Sequence, residues 1–252
     1  MKKSLGQNFL IDHNIARKIA NLLNHYSSYN LIEVGPGKGF LTDYLIKQKP
    51  KKIFLIEKDK NLFKDLIKKY ESKKNIRIFN EDALKSNLIF EVPQPKIIVS
   101  NLPYNISVKL ITNWLPQIDQ FISFKLMIQK EVAERFKYTN KTKNNRLNLF
   151  AYLLSDYKIE FNVSNNVFFP KPKVQSSVVS FKPNKKTNVN SKNFSEFTKI
   201  LFFSKRKKII NNLNKNSNFK KKIKDNQSKV DLSKRPEELS FQEIVKLYSF
   251  LM

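Results

Sequence analysis

The chain has 252 residues, 40% hydrophobic and 12% aromatic, with no cysteine and only two histidines, His13 and His25. That composition suffices for a globular core and excludes disulfide scaffolds and metal sites built on thiolates or histidines; no metal is expected. Forty-eight Lys and Arg against 21 Asp and Glu leave a formal charge of +27, which attracts polyanions even where an AT-rich coding bias accounts for part of the lysine excess.

Met1 to Gly6 lack the apolar stretch of a signal peptide, and no apolar run reaches the roughly 18–20 residues of a membrane span. The expectation is a soluble, cytoplasmic protein with no membrane association. Ile15, Ile19, Leu22 and Leu23 fall at helical spacing in a stretch from about Asn14 to Tyr26. Apolar runs then predict strands at Leu31–Val34, Ile53–Ile56, Ile76–Phe79, Lys96–Ser100 and Phe121–Gln129. Helices are predicted at Phe40–Lys49, Lys60–Tyr70, Val108–Trp114, Lys130–Lys137 and Leu147–Asp156. Two late strands, Tyr157–Val163 and Ser176–Phe181, flank a loop carrying Pro170 and Pro172. The alternation predicts an α/β fold with a mostly parallel sheet and helices on both faces. Beyond Phe181 the composition changes: Lys182–Lys229 holds fifteen Lys or Arg against Glu196 and Asp225. Phe194, Phe197, Leu201 and Phe202, then Phe241, Ile244, Val245, Tyr248 and Leu251, recur at helical spacing. The predicted organisation is therefore a domain over 1–187 and a small, basic, all-helical domain over 188–252 for RNA contact.

Only four glycines occur, where average usage of about 7% gives roughly eighteen, and three of them are Gly35, Gly37 and Gly39. They follow a predicted strand in Glu33-Val34-Gly35-Pro36-Gly37-Lys38-Gly39-Phe40, a turn that lets a ligand approach the backbone at a helix start. Glu57 ends the next strand, where an acid accepts from ribose hydroxyls. Asp82 follows the third strand, suited to an adenine amine, and Asn101 follows the fourth. Taken singly, Glu57 and Asp82 read as solvated acids. In register along one sheet edge they mark a nucleoside-type cofactor site.

Asn101-Leu102-Pro103-Tyr104 carries the most specific chemistry. The lone pair of adenine N6 is delocalised into the ring, so the amine is a poor nucleophile. Accepting both N6 hydrogens, on the Asn101 side-chain oxygen and the Leu102 carbonyl, favours a pyramidal nitrogen able to attack an activated methyl group. Pro103 stiffens the turn, and Tyr104 offers a stacking face for an extruded base.

These segments resemble the bacterial ribosomal RNA adenine dimethyltransferase family. The resemblance is carried by Ser4 to Leu10, Glu33 to Thr42, Asn101 to Ser107, Met127 to Arg135, Phe168 to Ser177 and Phe203 to Lys208, nearly end to end. It implies a Rossmann-like class I methyltransferase sheet using S-adenosyl-L-methionine and releasing S-adenosyl-L-homocysteine. It also implies a monomer that dimethylates two adjacent adenosines in the 3′-terminal hairpin of 16S rRNA on a small ribosomal subunit precursor. The cofactor residues implied are Asn8, Leu10, Gly35, Gly37, Glu57, Asp82 and Asn101. The catalytic set is Asn101, Leu102, Pro103 and Tyr104, with Phe168 as a second aromatic beside the base or, equally, a core anchor. Lys205, Arg206, Lys207 and Lys208, expected on a basic helix, suit RNA phosphates. Two positions depart from the family pattern: Gln175, where Asp is usual, and Asn144-Asn145, where a Tyr-Gly pair is usual. The alternatives are a large-subunit rRNA adenine methylase conferring antibiotic resistance, against which Leu102 and Phe203 to Lys208 speak, and a non-catalytic ribosome-assembly factor. A DNA adenine methylase fits the terminal segments less well.

Overall fold

Near-continuous apolar runs become strands buried on both faces. In the computed structural model, which describes residues 8–24, 26, 28–139, 143–184, 189–204, 206–224 and 230–252, a two-residue strand β1 (Phe9–Leu10) precedes α1 (His13–Asn21). Asp12 starts α1 by accepting from the Ile15 amide. Strands β2 (Asn30–Val34), β3 (Lys52–Ile56), β4 (Ile76–Phe79), β5 (Lys96–Asn101) and β6 (Ser123–Gln129) follow, with α2 (Phe40–Leu45), α3 (Lys60–Tyr70), α4 (Leu88–Glu91) and α5 (Ser107–Trp114) between them. Then come α6 (Lys130–Phe136), α7 (Arg146–Leu154), β7 (Ser155–Val163), β8 (Phe168–Phe169) and β9 (Ser176–Pro183). The chain closes with α8 (Ser191–Leu201), α9 (Ile209–Leu213), α10 (Ser217–Lys224) and α11 (Phe241–Leu251).

Seven strands form one sheet in the order β4-β3-β2-β5-β6-β9-β7, and β1 pairs with β8 in a separate two-stranded sheet. Strands β2 to β6 run parallel, while β9 lies antiparallel to β6 from Phe124↔Phe181 to Gln129↔Ser176. The mostly parallel sheet is thus as expected. All five residues of β2 are buried, because a parallel central strand is covered on both faces. From β2 the chain builds outward to β3 and β4, then returns to place β5 on the other side of β2. At that reversal the loops leaving β2 and β5 diverge, and a crevice opens at the carboxyl ends of the strands.

Some boundaries differ from the sequence expectation. The first helix ends at Asn21, and the second at Leu45, followed by a 3-10 turn over Ile46–Gln48. β1, β8, α4, α9 and α10 lie outside the predicted elements, because two-residue strands and one- or two-turn helices carry too little periodicity. The chain divides into two compact units, Met1–Glu134 with Asp156–Pro183, and Arg135–Ser155 with Asn184–Met252. This corrects a single cut after residue 187. The reason is α7: Leu147, Leu149, Phe150, Ala151, Leu153 and Leu154 are all buried, and the Phe150 ring lies 6.0 Å from Phe194 on α8. An all-round apolar helix belongs at the centre of a core, and here it completes that of the second unit. Among the described residues of 188–252, every regular element is helical.

Candidate functional site

The first unit holds a cavity of about 380 Å³ at the switch point, within the roughly 300–1,000 Å³ usual for small-molecule sites. Asn8, Leu10, Gly35, Gly37, Glu57, Asp82 and Asn101 all line it, together with Leu102, Pro103 and Tyr104. Residues as far apart as Asn8 and Asn101, 93 positions, meet there, because the ends of β2, β3 and β5 and the loop after β4 lie on one sheet edge.

The glycine loop is shaped by its backbone. Gly35, Gly37 and Gly39 have φ of 68°, 59° and 74°, a region that side chains disfavour. At Gly37 a Cβ would stand 2.8 Å from Phe9 Cε1, so β1 packs its aromatic ring directly on the loop. Glu57 holds the same loop from below. Its Oε2 accepts from the Gly37 amide at 3.1 Å and its Oε1 from the Asp59 amide at 2.9 Å. Burial pushes the Glu57 carboxyl up, and those backbone donors pull it back. Glu57 therefore offers lone pairs to the cavity and also pins the turn. Glu57→Ala is expected to weaken binding of S-adenosyl-L-methionine by about 10- to 100-fold, as for a lost pair of hydrogen bonds; unchanged affinity by calorimetry would contradict the assignment.

Asp82 accepts from the Leu84 amide at 3.0 Å and pairs with Lys58 at 3.0 Å. Burial pushes its carboxyl up, but the Leu84 amide and Lys58 outweigh it, and the net shift is downward. It is an ionised acceptor at the cavity edge.

Glu33, the acid of the glycine motif, also lines the cavity and is only 2% exposed. Thr42 Oγ1 donates to its Oε2 at 2.7 Å. Burial pushes its carboxyl from 4.5 up to about 8, with Thr42 pulling it back. The folded protein thus keeps a proton that the unfolded chain releases near pH 4.5. Stability should fall as pH rises from about 4.5 through about 8 and level off above. Glu33→Gln is expected to flatten that decline in Tm; a decline as steep as in the unsubstituted protein would contradict the assignment.

The turn after β5 is tied on several sides. Ser100 Oγ donates to the Val34 carbonyl at 2.5 Å, and the Leu102 amide to the Met127 carbonyl at 3.1 Å. The Ser107 amide donates to the Pro103 carbonyl at 3.1 Å. Asn101 donates from Nδ2 to the Asn8 carbonyl at 3.1 Å, which orients the amide and leaves Oδ1 as its acceptor. Leu102 as a whole is 1% exposed and lies in the cavity wall. The Tyr104 hydroxyl lies 2.5 Å from Ser176 Oγ at the start of β9, which holds the ring in place, and burial pushes its pKa up.

Phe168 is placed as the core anchor, the second of its two expected readings, and is not among the residues lining the cavity. It is 2% exposed and packs in the core with Leu10 and Ala16. Its neighbour Phe169 is 60% exposed and lines the cavity. The pairing Leu10↔Phe168 and Phe9↔Phe169 sets this phase: successive side chains of a strand point to opposite faces, and two adjacent phenylalanines give no sign of which one faces in. Phe9, Glu33 and Phe40 are cavity residues that the sequence does not single out as ligands.

Lys205 lies outside the described residues. Arg206, Lys207 and Lys208 are exposed residues of the second unit. They sit in a turn before α9, with Lys208 as its N-cap, and not in a basic helix. Gln175 accepts from the Lys130 amide at 3.0 Å. Asn145 caps α7 in a reciprocal bond pair with Asn148. Among the described residues no group of His, Cys, Asp or Glu could hold a metal ion, and no helix is long and apolar enough to cross a membrane.

A family model described as ribosomal RNA adenine dimethylase matches residues 1–252. Among curated relatives, the ribosomal RNA small subunit methyltransferase A of Mycoplasmopsis synoviae (strain 53) is 38% identical, over 99% of this chain and 96% of the relative. The protein of that name from Mesomycoplasma hyopneumoniae (strain 232) is 42% identical over 84% of this chain and 81% of its own. A crystal structure of a dimethyladenosine transferase from Plasmodium falciparum superposes with a TM-score of 0.73 at 26% identity, covering 95% of each chain.

Proposed function

Because the chain belongs to the ribosomal RNA adenine dimethylase family, we propose that it transfers methyl groups from S-adenosyl-L-methionine to N6 of two adjacent adenosines in the 3′-terminal hairpin of 16S rRNA. The observation that carries this reading is a single cavity lined by Glu57, Asp82 and the glycine loop on one side and Asn101 to Tyr104 on the other. An adenosine-type cofactor fits the donor set: Glu57 for ribose hydroxyls, Asp82 for the adenine amine, and the Gly35 to Gly39 turn for close approach. The cofactor supplies a methyl group activated on a sulfonium, and leaves as S-adenosyl-L-homocysteine.

The chain's own residues prepare the acceptor. Asn101 Oδ1 and the Leu102 carbonyl accept the N6 hydrogens, withdrawing the lone pair from the ring, and Tyr104 holds the base face. N6 loses one proton for each methyl it gains, so neither a covalent nucleophile nor a metal is needed. The small-subunit target is supported by the names of the curated relatives. The partner is a small-subunit precursor in the cytoplasm, met by a monomer whose Lys205 to Lys208 segment contacts phosphates. Extrusion of the adenosine from a loop costs less than from a duplex.

Incubating the protein with labelled cofactor and unmodified small subunits, then mapping dimethyladenosine by mass spectrometry, tests the reading. Dimethylation of two adjacent adenosines near the 3′ end of 16S rRNA is expected. Label confined to large-subunit rRNA, or none, would overturn it.

A further inference from the structure

The second unit holds a cavity of its own, about 450 Å³, lined by residues of 138–152 and 237–243. Three rings stand around it. The Tyr152 centroid lies 4.1 Å from that of Tyr138 and 4.8 Å from that of Phe241, and the Phe241 ring is edge-on to both tyrosines. Glu237, Glu238 and Glu243 line the same cavity, a concentration of acid in a chain with 21 Asp and Glu against 48 Lys and Arg. Glu243 is committed to the capping box that it forms with Ser240 at the start of α11, and to Lys234 at 3.1 Å. Glu237 gives Oε1 to Lys143 at 3.0 Å, and Glu238 gives Oε2 to the Arg235 amide at 2.6 Å. Each of these two has a second oxygen to offer. Lys143 is 80% exposed, and so shallow a pair is worth little in water.

Asn144 lines the cavity too and is only 7% exposed. Its side-chain nitrogen donates to the Leu239 carbonyl, which fixes the way the amide points. Its Oδ1 is then a buried acceptor with no partner, a state that is costly to leave unmet. Rings, carboxylates and orphaned acceptor all favour one kind of occupant, a positive charge that carries N–H donors. Ring faces attract cations, carboxylates pair with them, and Oδ1 accepts a hydrogen bond from one. An anion has no seat here, since the N-terminus of α11 is closed by its own capping box. Among the described residues no group of His, Cys, Asp or Glu could hold a metal ion. The cavity is also many times the roughly 30 Å³ of a water-sized ion, so the occupant has an aliphatic body besides its charge.

We propose that this cavity binds an aliphatic polyamine, with one ammonium head between Asn144 Oδ1 and the second oxygens of Glu237 and Glu238, and its methylene chain against Tyr138, Tyr152 and Phe241. The site lies wholly within the second unit and uses none of the residues assigned to the cofactor, the adenosine or the RNA phosphates. Its standing is therefore independent of the methyl-transfer reading.

The test titrates the full chain with spermidine by calorimetry, without RNA or S-adenosyl-L-methionine. One saturable site is expected. A chain of +27 repels polycations at long range, so unspecific uptake should not imitate it. Glu237→Gln combined with Glu238→Gln should weaken binding by about tenfold or more, and Phe241→Leu by about threefold or more. Circular dichroism checks that each variant is folded. A second comparison needs no variant: the unsubstituted protein should bind a diaminoalkane but not the diol of equal length, and magnesium ions should not displace spermidine. Absence of a saturable site, displacement by magnesium, equal binding of the diol, or unchanged affinity in either folded variant would each overturn the proposal. Binding of a lysine-rich peptide without binding of spermidine would overturn it as well, in favour of a basic protein partner.

Discussion

Replacing Asn101 with alanine is expected to lower methyl transfer by about a hundred- to a thousandfold, the scale seen when one preorganised polar group at a reacting atom is lost. Cofactor and RNA affinities should change little. The side chain donates to the Asn8 carbonyl, and the proposed function assigns its Oδ1 to the substrate amine and the cofactor's main polar contacts to Glu57, Asp82 and the glycine loop. The main-chain bonds from Leu102 to Met127 and from Ser107 to Pro103 do not involve the Asn101 side chain, so the turn should persist in the variant. A tritium-transfer assay on unmodified small subunits, paired with calorimetry for the cofactor, separates the two effects. Turnover near that of the unsubstituted protein would refute the role assigned to Asn101.

Gly39→Ala is expected to destabilise the protein by about 2–4 kcal/mol, combining strain at a left-handed residue with a lost buried hydrogen bond. Gly39 has φ of 74°, and an added Cβ would overlap the Tyr70 hydroxyl. That hydroxyl lies 2.9 Å from the Gly39 carbonyl and 2.7 Å from Asp43 Oδ1, tying the end of α3 to the start of α2. Tyr70 is 5% exposed and cannot swing aside without opening the core. Urea unfolding followed by circular dichroism measures the effect; an unchanged midpoint would show that the loop absorbs the methyl group.

The glycine loop is legible in the amino-acid sequence because three of four glycines fall within five residues, and only a constrained backbone keeps them there. The strands from β2 to β6 are legible too: β2, β5 and β6 are buried almost throughout and read as largely apolar runs, while the edge strand β4 is a short apolar run broken by the exposed Arg77. Asn101 to Tyr104, singled out by residue type, line the same cavity as the glycine loop.

Other features depend on contacts between distant segments. The phase of β8 is set by its pairing with β1, which puts Phe168 in the core and Phe169 at the cavity; a run of two phenylalanines has no alternation to read. Helix α7 is expected in the first domain by its place in the chain, but the apolar residues around its circumference pack in the core of the second unit. Glu57 is expected to bind a ligand, and its bond to the Gly37 amide depends on β2 and β3 lying side by side. Composition, periodicity and motif thus determined the longer elements and the residues expected to carry the chemistry. Tertiary structure decided which side of a short strand faces the cavity and which groups hold one another in place, because those choices follow from pairings between segments far apart in the chain.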